Sequence, residues 1–176
     1  MITRRTALKW LHWVSFFVIV YFYFVEPDEN TADPGGALST HAGMGMVLGV
    51  VTALWLTTYL IKGLAGRPGP KLPVWGKKLH PLSHKALQIG VPVVVLSGAI
   101  AGLAAPYMVR AFGVVPINFA GGTKFLHELA QDAHEIVFDA LIVLIIGHAL
   151  FHVWRHFWIK DNALRIMVPK RLHKYL

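Results

Sequence analysis

The chain has 176 residues, 55% of them hydrophobic and only 15% charged, with a mean hydropathy of +0.53. That composition fits one integral membrane domain over residues 1–176 and excludes a soluble globule. With no cysteine, a disulfide framework, a thiolate-held iron–sulfur cluster and the Cys-x-x-Cys-His attachment of c-type haem are excluded as well. The net charge of +8 is accounted for by basic loops and affinity for anionic membrane lipid, leaving no role for nucleic acid.

Four apolar runs of about the 20 residues that span a bilayer follow one another. The first covers 7–25. It is preceded by a basic stretch from Met1 to Lys9 and followed by Glu26-Pro27-Asp28-Glu29 instead of a small-residue cleavage site, so it is expected to be a retained helix. The second covers 38–61. The third covers 84–105 and contains Pro92, which is expected to kink it. The fourth covers 130–154. Pro, Gly and charged residues fill the connections 27–36, 62–78 and 106–122. The last connection also carries Phe112, Val114, Val115, Ile117 and Phe119, and is expected to lie on the membrane or cover a site. The fold class is an all-α membrane protein, a four-transmembrane-helix bundle.

Basic residues orient the bundle. Arg4, Arg5 and Lys9, then Lys62, Arg67, Lys71, Lys77, Lys78 and Lys85, then Arg155, Lys160, Arg165, Lys170, Arg171 and Lys174 fall on one side. That is fifteen of the seventeen Lys and Arg, with Arg110 and Lys124 opposite. Both termini are therefore expected to be cytoplasmic in a bacterial inner membrane. Trp10, Trp13, Tyr59, Trp154 and Trp158 mark the inner interface, and Tyr21, Tyr23 and Tyr107 the outer one.

Histidines inside such helices are expensive and usually functional. His134 and His148 are fourteen residues apart on the fourth helix. At 3.6 residues per turn they leave it within about 40° of each other and about 21 Å apart along the axis, so one helix can serve two stacked sites. By depth, His12 on the first helix matches His148 near the inner face, and His41 on the second matches His134 near the outer face. Each pair can bracket one haem iron. Two imidazoles per iron give a low-spin centre suited to electron transfer. Both haems are non-covalent, and hence two haem b.

Gly43, Gly45, Gly49, Gly98, Gly102 and Gly147 make room for a macrocycle or simply let helices pack closely. Arg4, Arg5 and Arg155 are candidates for the haem propionates. At the cytoplasmic boundary, His84, with His156 and Lys85 as neighbours, is a candidate for holding a quinone, since an imidazole can both hydrogen-bond a quinone oxygen and relay its proton. His127, His152 and His173 are expected to hydrogen-bond backbone carbonyls, and His80 to be solvated at the interface.

Leu11-His12-Trp13, His41, His134-Glu135, His148 and the segment from Lys160 to Met167, Lys-Asp-Asn-Ala-Leu-Arg-Ile-Met, occur in an order and spacing that resemble the prokaryotic cytochrome b561 family from about residue 9 to residue 167. The resemblance implies a four-helix bundle with two bis-histidine b haems, His12 with His148 inside and His41 with His134 outside, and a quinone site near His84. Two positions depart from the pattern. Arg155-His156 stands where two adjacent histidines are frequent, and Ala133 where a tryptophan often precedes the His-Glu pair.

The resemblance implies electron transfer between the quinone pool, ubiquinone or menaquinone, and a periplasmic redox partner. An alternative is a superoxide oxidase coupling superoxide oxidation to quinone reduction. Glu26, Asp28, Glu29, Asp33, Glu128 and Asp132 against Arg110 and Lys124 make the outer face net negative by four. Such a field attracts a basic periplasmic electron-transfer protein and slows an anion. A reading from another class is a haem-free membrane metal-binding or transport protein, which needs its histidines gathered at one depth. The division into two layers speaks for haem.

Overall fold

The computed structural model describes residues 3–25, 27, 36–63, 66, 68–168 and 170–176. Helices α1 (Arg4–Phe24), α2 (Ala37–Lys62), α3 (Val74–Ala104) and α4 (Lys124–Phe157) form the bundle, and each is long and apolar enough to cross a membrane. A hairpin of β1 (Arg110–Ala111) and β2 (Val115–Pro116), with Ala111 opposite Val115, lies between α3 and α4. Two short 3₁₀ turns, Ala163–Ile166 and Lys170–Tyr175, follow α4.

The helices outrun their apolar cores. α2 matches expectation to within a residue at each end, whereas α3 begins at Val74 and not at 84, and α4 runs from Lys124 to Phe157 and not from 130 to 154. Hydropathy marks only what lipid covers, while the helix end is set by capping. The Thr3 and Thr123 side chains accept the backbone N–H of Thr6 and Leu126 at 3.3 Å each, which satisfies an orphan donor of α1 and of α4. Pro73 precedes α3, its ring having no N–H to leave unpaired at a helix start. Helix α3 runs on through both Pro81 and Pro92, so Pro92 does not end it.

Val18, Ile19, Leu48, Val94 and Leu141, drawn from all four helices, pack into one buried cluster. Along the helices it lies between the level of His41 and His134 and the level of His12 and His148. Outward, Phe17, Leu54, Ile61, Leu96, Val143 and Leu150 are exposed, the apolar belt that a bilayer covers.

Each end is fastened by hydrogen bonds. In the loop after α3, the buried Asn118 accepts from Val109 N–H at 2.8 Å and donates to the carbonyls of Ala105 and Tyr107 at 3.0 Å. Gly122 passes so close to the end of α3 that a Cβ there would run into the Ala104 carbonyl. At the opposite end the segment after α4 folds back on α1. Trp13 Nε1 donates to Met167 O at 3.1 Å and Lys9 Nζ to Val168 O at 2.9 Å.

Candidate functional site

His41, in the opening turns of α2, and His134, on α4, face each other with ring centroids 6.3 Å apart and planes at 89°. The Phe22 ring lies 4.6 Å from His41. Ser97 Oγ sits 2.9 Å from His134 Nδ1 and donates its own hydrogen to Val94 O, so it accepts from an Nδ1–H and leaves Nε2 with the lone pair a metal needs. A Cβ on Gly98 would meet His134 Cε1 at 2.9 Å. Of the glycines expected to make room, Gly98 therefore does so for the imidazole itself. Ser97 was not singled out in the sequence, although a Ser-Gly pair at the depth of His134 is the trace it leaves.

The hairpin covers this end of the bundle. Phe112 N–H donates to Ser39 O at 2.9 Å, Ser39 Oγ donates to Arg110 O at 2.8 Å, and Gly113 N–H donates to Ser39 Oγ. The Phe112 ring lies against Gly43, where a Cβ would come within 2.5 Å of it. The loop thus covers this end of the bundle, while its Val114 and Phe119 side chains are exposed, as a place on the membrane also requires. His127 behaves as expected: Nδ1–H donates to Ala101 O at 3.0 Å and Nε2 accepts from Tyr107 at 3.0 Å. His173 likewise meets the Val168 carbonyl at 3.1 Å.

At the other end His12, His84 and His148 line one cavity of about 170 Å³ together with Thr52, Trp55, Gln88 and Met167. That is far more space than a single water occupies. The Nδ1 atoms of His12, His41 and His148, Thr52 Oγ1 and Gln88 Oε1 are buried with no hydrogen-bond partner, atoms that in a finished protein are met by something.

The inner layer is richer than the sequence suggested. His84 Nδ1 meets His80 O at 2.7 Å. The His84 ring lies 4.3 Å from His80, 4.8 Å from His148 and 5.5 Å from His152. His80 is 3% exposed, so it is not a solvated interfacial residue. His152 Nε2 is buried without a partner, with its ring 4.5 Å from His148. His152 thus joins a cluster and does not serve a carbonyl. Periodicity along one helix could not show this, because the cluster arises where α3 and α4 pack on each other.

The cations are dispersed. Arg4 donates to the carbonyls of Lys62 and Gly63 at 3.4 and 2.9 Å, capping α2, and Arg5 and Lys85 are exposed. Arg155 is buried and bonds Asp161 through Nε at 2.9 Å and Nη2 at 2.7 Å, with Nη1 unpartnered. His156 is buried beside Phe157. Among the described residues, the rings around His84 are those of the histidine cluster, without His156. Glu26, Asp28, Glu29 and Asp33 lie outside the described residues, while Lys124 and Glu128 form an exposed pair at 3.6 Å.

The His41–His134 pair fits a haem iron. Imidazoles bound on opposite faces of one metal at about 2 Å per bond have ring centroids roughly 6 Å apart, and His134 carries the lone pair on Nε2. The inner cavity has an imidazole on α1 and another on α4, each with a buried unpartnered Nδ1. The model of the prokaryotic cytochrome b561 family matches residues 4–170. The chain belongs to that family. Comparison with curated proteins gives no match. Membership, with the four apolar helices, makes the chain a haem b electron-transfer protein and a multi-pass protein of the bacterial inner membrane. The haem-free reading ends there, although one of its conditions, histidines gathered at one depth, is met at the inner end.

Proposed function

We propose that this family member is a dihaem cytochrome carrying electrons across the membrane between the quinone pool and a periplasmic partner, with both termini cytoplasmic. The observation that carries the reading is the opposed His41–His134 pair at one end of the bundle and the cavity bearing His12 and His148 at the other. When bound, haem b supplies a one-electron centre at each end. The chain's part is to hold four neutral imidazoles in place, His41 and His134 for the outer haem and His12 and His148 for the inner one. Val18, Leu48, Val94 and Leu141 keep water out of the region between.

Arg155 Nη1, still unpartnered in a buried setting, suits one inner propionate, while Arg4 and Arg5 supply positive charge at the same end. Quinone, ubiquinone or menaquinone, is read at the cavity wall. There His84 offers an imidazole whose Nδ1 is already held by the His80 carbonyl, leaving Nε2 to meet a quinone oxygen and its proton. Of the neighbours expected for it, Lys85 adjoins His84 in sequence but is exposed, and His156 is buried beside Phe157; neither lines the cavity. His84→Gln is expected to slow haem reduction by quinol about tenfold or more with haem spectra intact. A normal rate would place the quinone elsewhere.

For the outer partner a basic electron-transfer protein is favoured by the acids of residues 26–33. Superoxide oxidation is the second reading, and Arg110 favours it, because this cation is tied through its carbonyl to Ser39, two residues from His41. Neutralising Glu26, Asp28, Glu29 and Asp33 separates the two. The rate falls for a basic partner and rises for an anion.

A further inference from the structure

We propose that His80, His84 and His152 form a binding site for a borderline divalent cation such as zinc, separate from the haem irons. One ring nitrogen from each lies within 4.8 Å of the other two. A tetrahedral metal with bonds of about 2.0–2.1 Å brings its nitrogens to about 3.4 Å of one another, a closure that small side-chain rotations supply. His80 and His84 are one helical turn apart on α3, so their rings share a face. His152 comes from α4, the helix on which α3 packs most extensively. The three ligands thus stand on two rigid elements, not on a loop.

Each ring has a donor to give. His80 Nδ1 and His152 Nε2 are buried with no partner. His84 spends its Nδ1–H on the His80 carbonyl at 2.7 Å, which fixes the tautomer with the lone pair on Nε2, the orientation that outer hydrogen bonds give to metal-binding histidines. Three neutral imidazoles without a carboxylate favour zinc, copper, nickel or cobalt over magnesium or calcium. The fixed charges that reach His80, Arg155 and Asp161, are paired with each other at 2.7 Å, so the cation does not face an uncompensated guanidinium. The inference does not rest on the haem assignment, since none of the three is a proposed haem ligand. With Nδ1 held by the His80 carbonyl, His84 has one free nitrogen, so the metal and the proposed quinone are alternative occupants of Nε2.

The test uses the haem-loaded protein, purified through a tag without histidine, dialysed against micromolar zinc and then against buffer. Zinc is counted by mass spectrometry and haem by its reduced spectrum. One zinc per chain is expected, with zinc affinity lowered about tenfold or more in His80→Gln and in His152→Gln and haem content unchanged in both. The site is overturned if the parent protein keeps no zinc, or if both variants keep it undiminished. It is also overturned if zinc and haem leave together in both, which would mean that the cluster belongs to a haem site.

Discussion

Ser97 Oγ accepts a hydrogen bond from His134 Nδ1 at 2.9 Å while donating to Val94 O, so a hydroxyl on α3 sets which nitrogen of an imidazole on α4 is free. Partners of this kind orient metal-binding histidines and raise their basicity. Ser97→Ala is expected to weaken retention of the outer haem by about tenfold or more and to raise that haem's midpoint potential, with the other haem unmoved. Redox titration resolves the two centres. Equal shifts in both, or none, would detach Ser97 from the outer site.

The buried Arg155–Asp161 pair gives a stability prediction, both side chains being almost wholly removed from solvent. Asp161 also accepts from Ala163 N–H at 3.0 Å, which ties the turn after α4 to the helix end. Asp161→Ala leaves a guanidinium buried and unpaired, and is expected to destabilise the protein by about 3–5 kcal/mol. Removing both partners, by Arg155→Met in the same chain, is expected to recover part of that loss. Thermal unfolding in detergent checks it; a double variant worse than the single one would contradict the pairing.

Topology is tested on a chain that has no native cysteine. Lys78 on the exposed side of α3 and Gly121, which has open space around its Cβ position, are suitable for single cysteines. A membrane-impermeant thiol reagent is expected to reach Gly121→Cys from the periplasm and Lys78→Cys only after the cytoplasmic side is opened. Labelling of both from one side would overturn the orientation read from the fifteen-to-two partition of basic residues.

The bundle was legible because bilayer thickness writes itself into the length of apolar runs, and α2 could be bounded almost to the residue. The start of α3 was not, because its first ten residues include Lys77, Lys78 and His80, polar enough to read as loop and held helical beyond the apolar core. The His41–His134 juxtaposition was legible from depth alone. Their supports were not. Ser97, the docking of Phe112 on Gly43 and the meeting of His80 with His152 depend on how separate helices rotate toward each other, and periodicity within one helix carries no information on that. The same reason explains why the pairing of Arg155 with Asp161, which takes Nε and Nη2 and leaves Nη1, was not legible.

The most direct test is the number of haems and the histidines that hold them. Haem b quantified per chain by reduced-minus-oxidised spectra is expected to give two in the parent protein. It is expected to give one in His41→Ala or His134→Ala and one in His12→Ala or His148→Ala, the lost centre being the same within each pair and different between pairs. A single haem in the parent protein, or low-spin spectra unchanged after any of the four substitutions, would contradict the account.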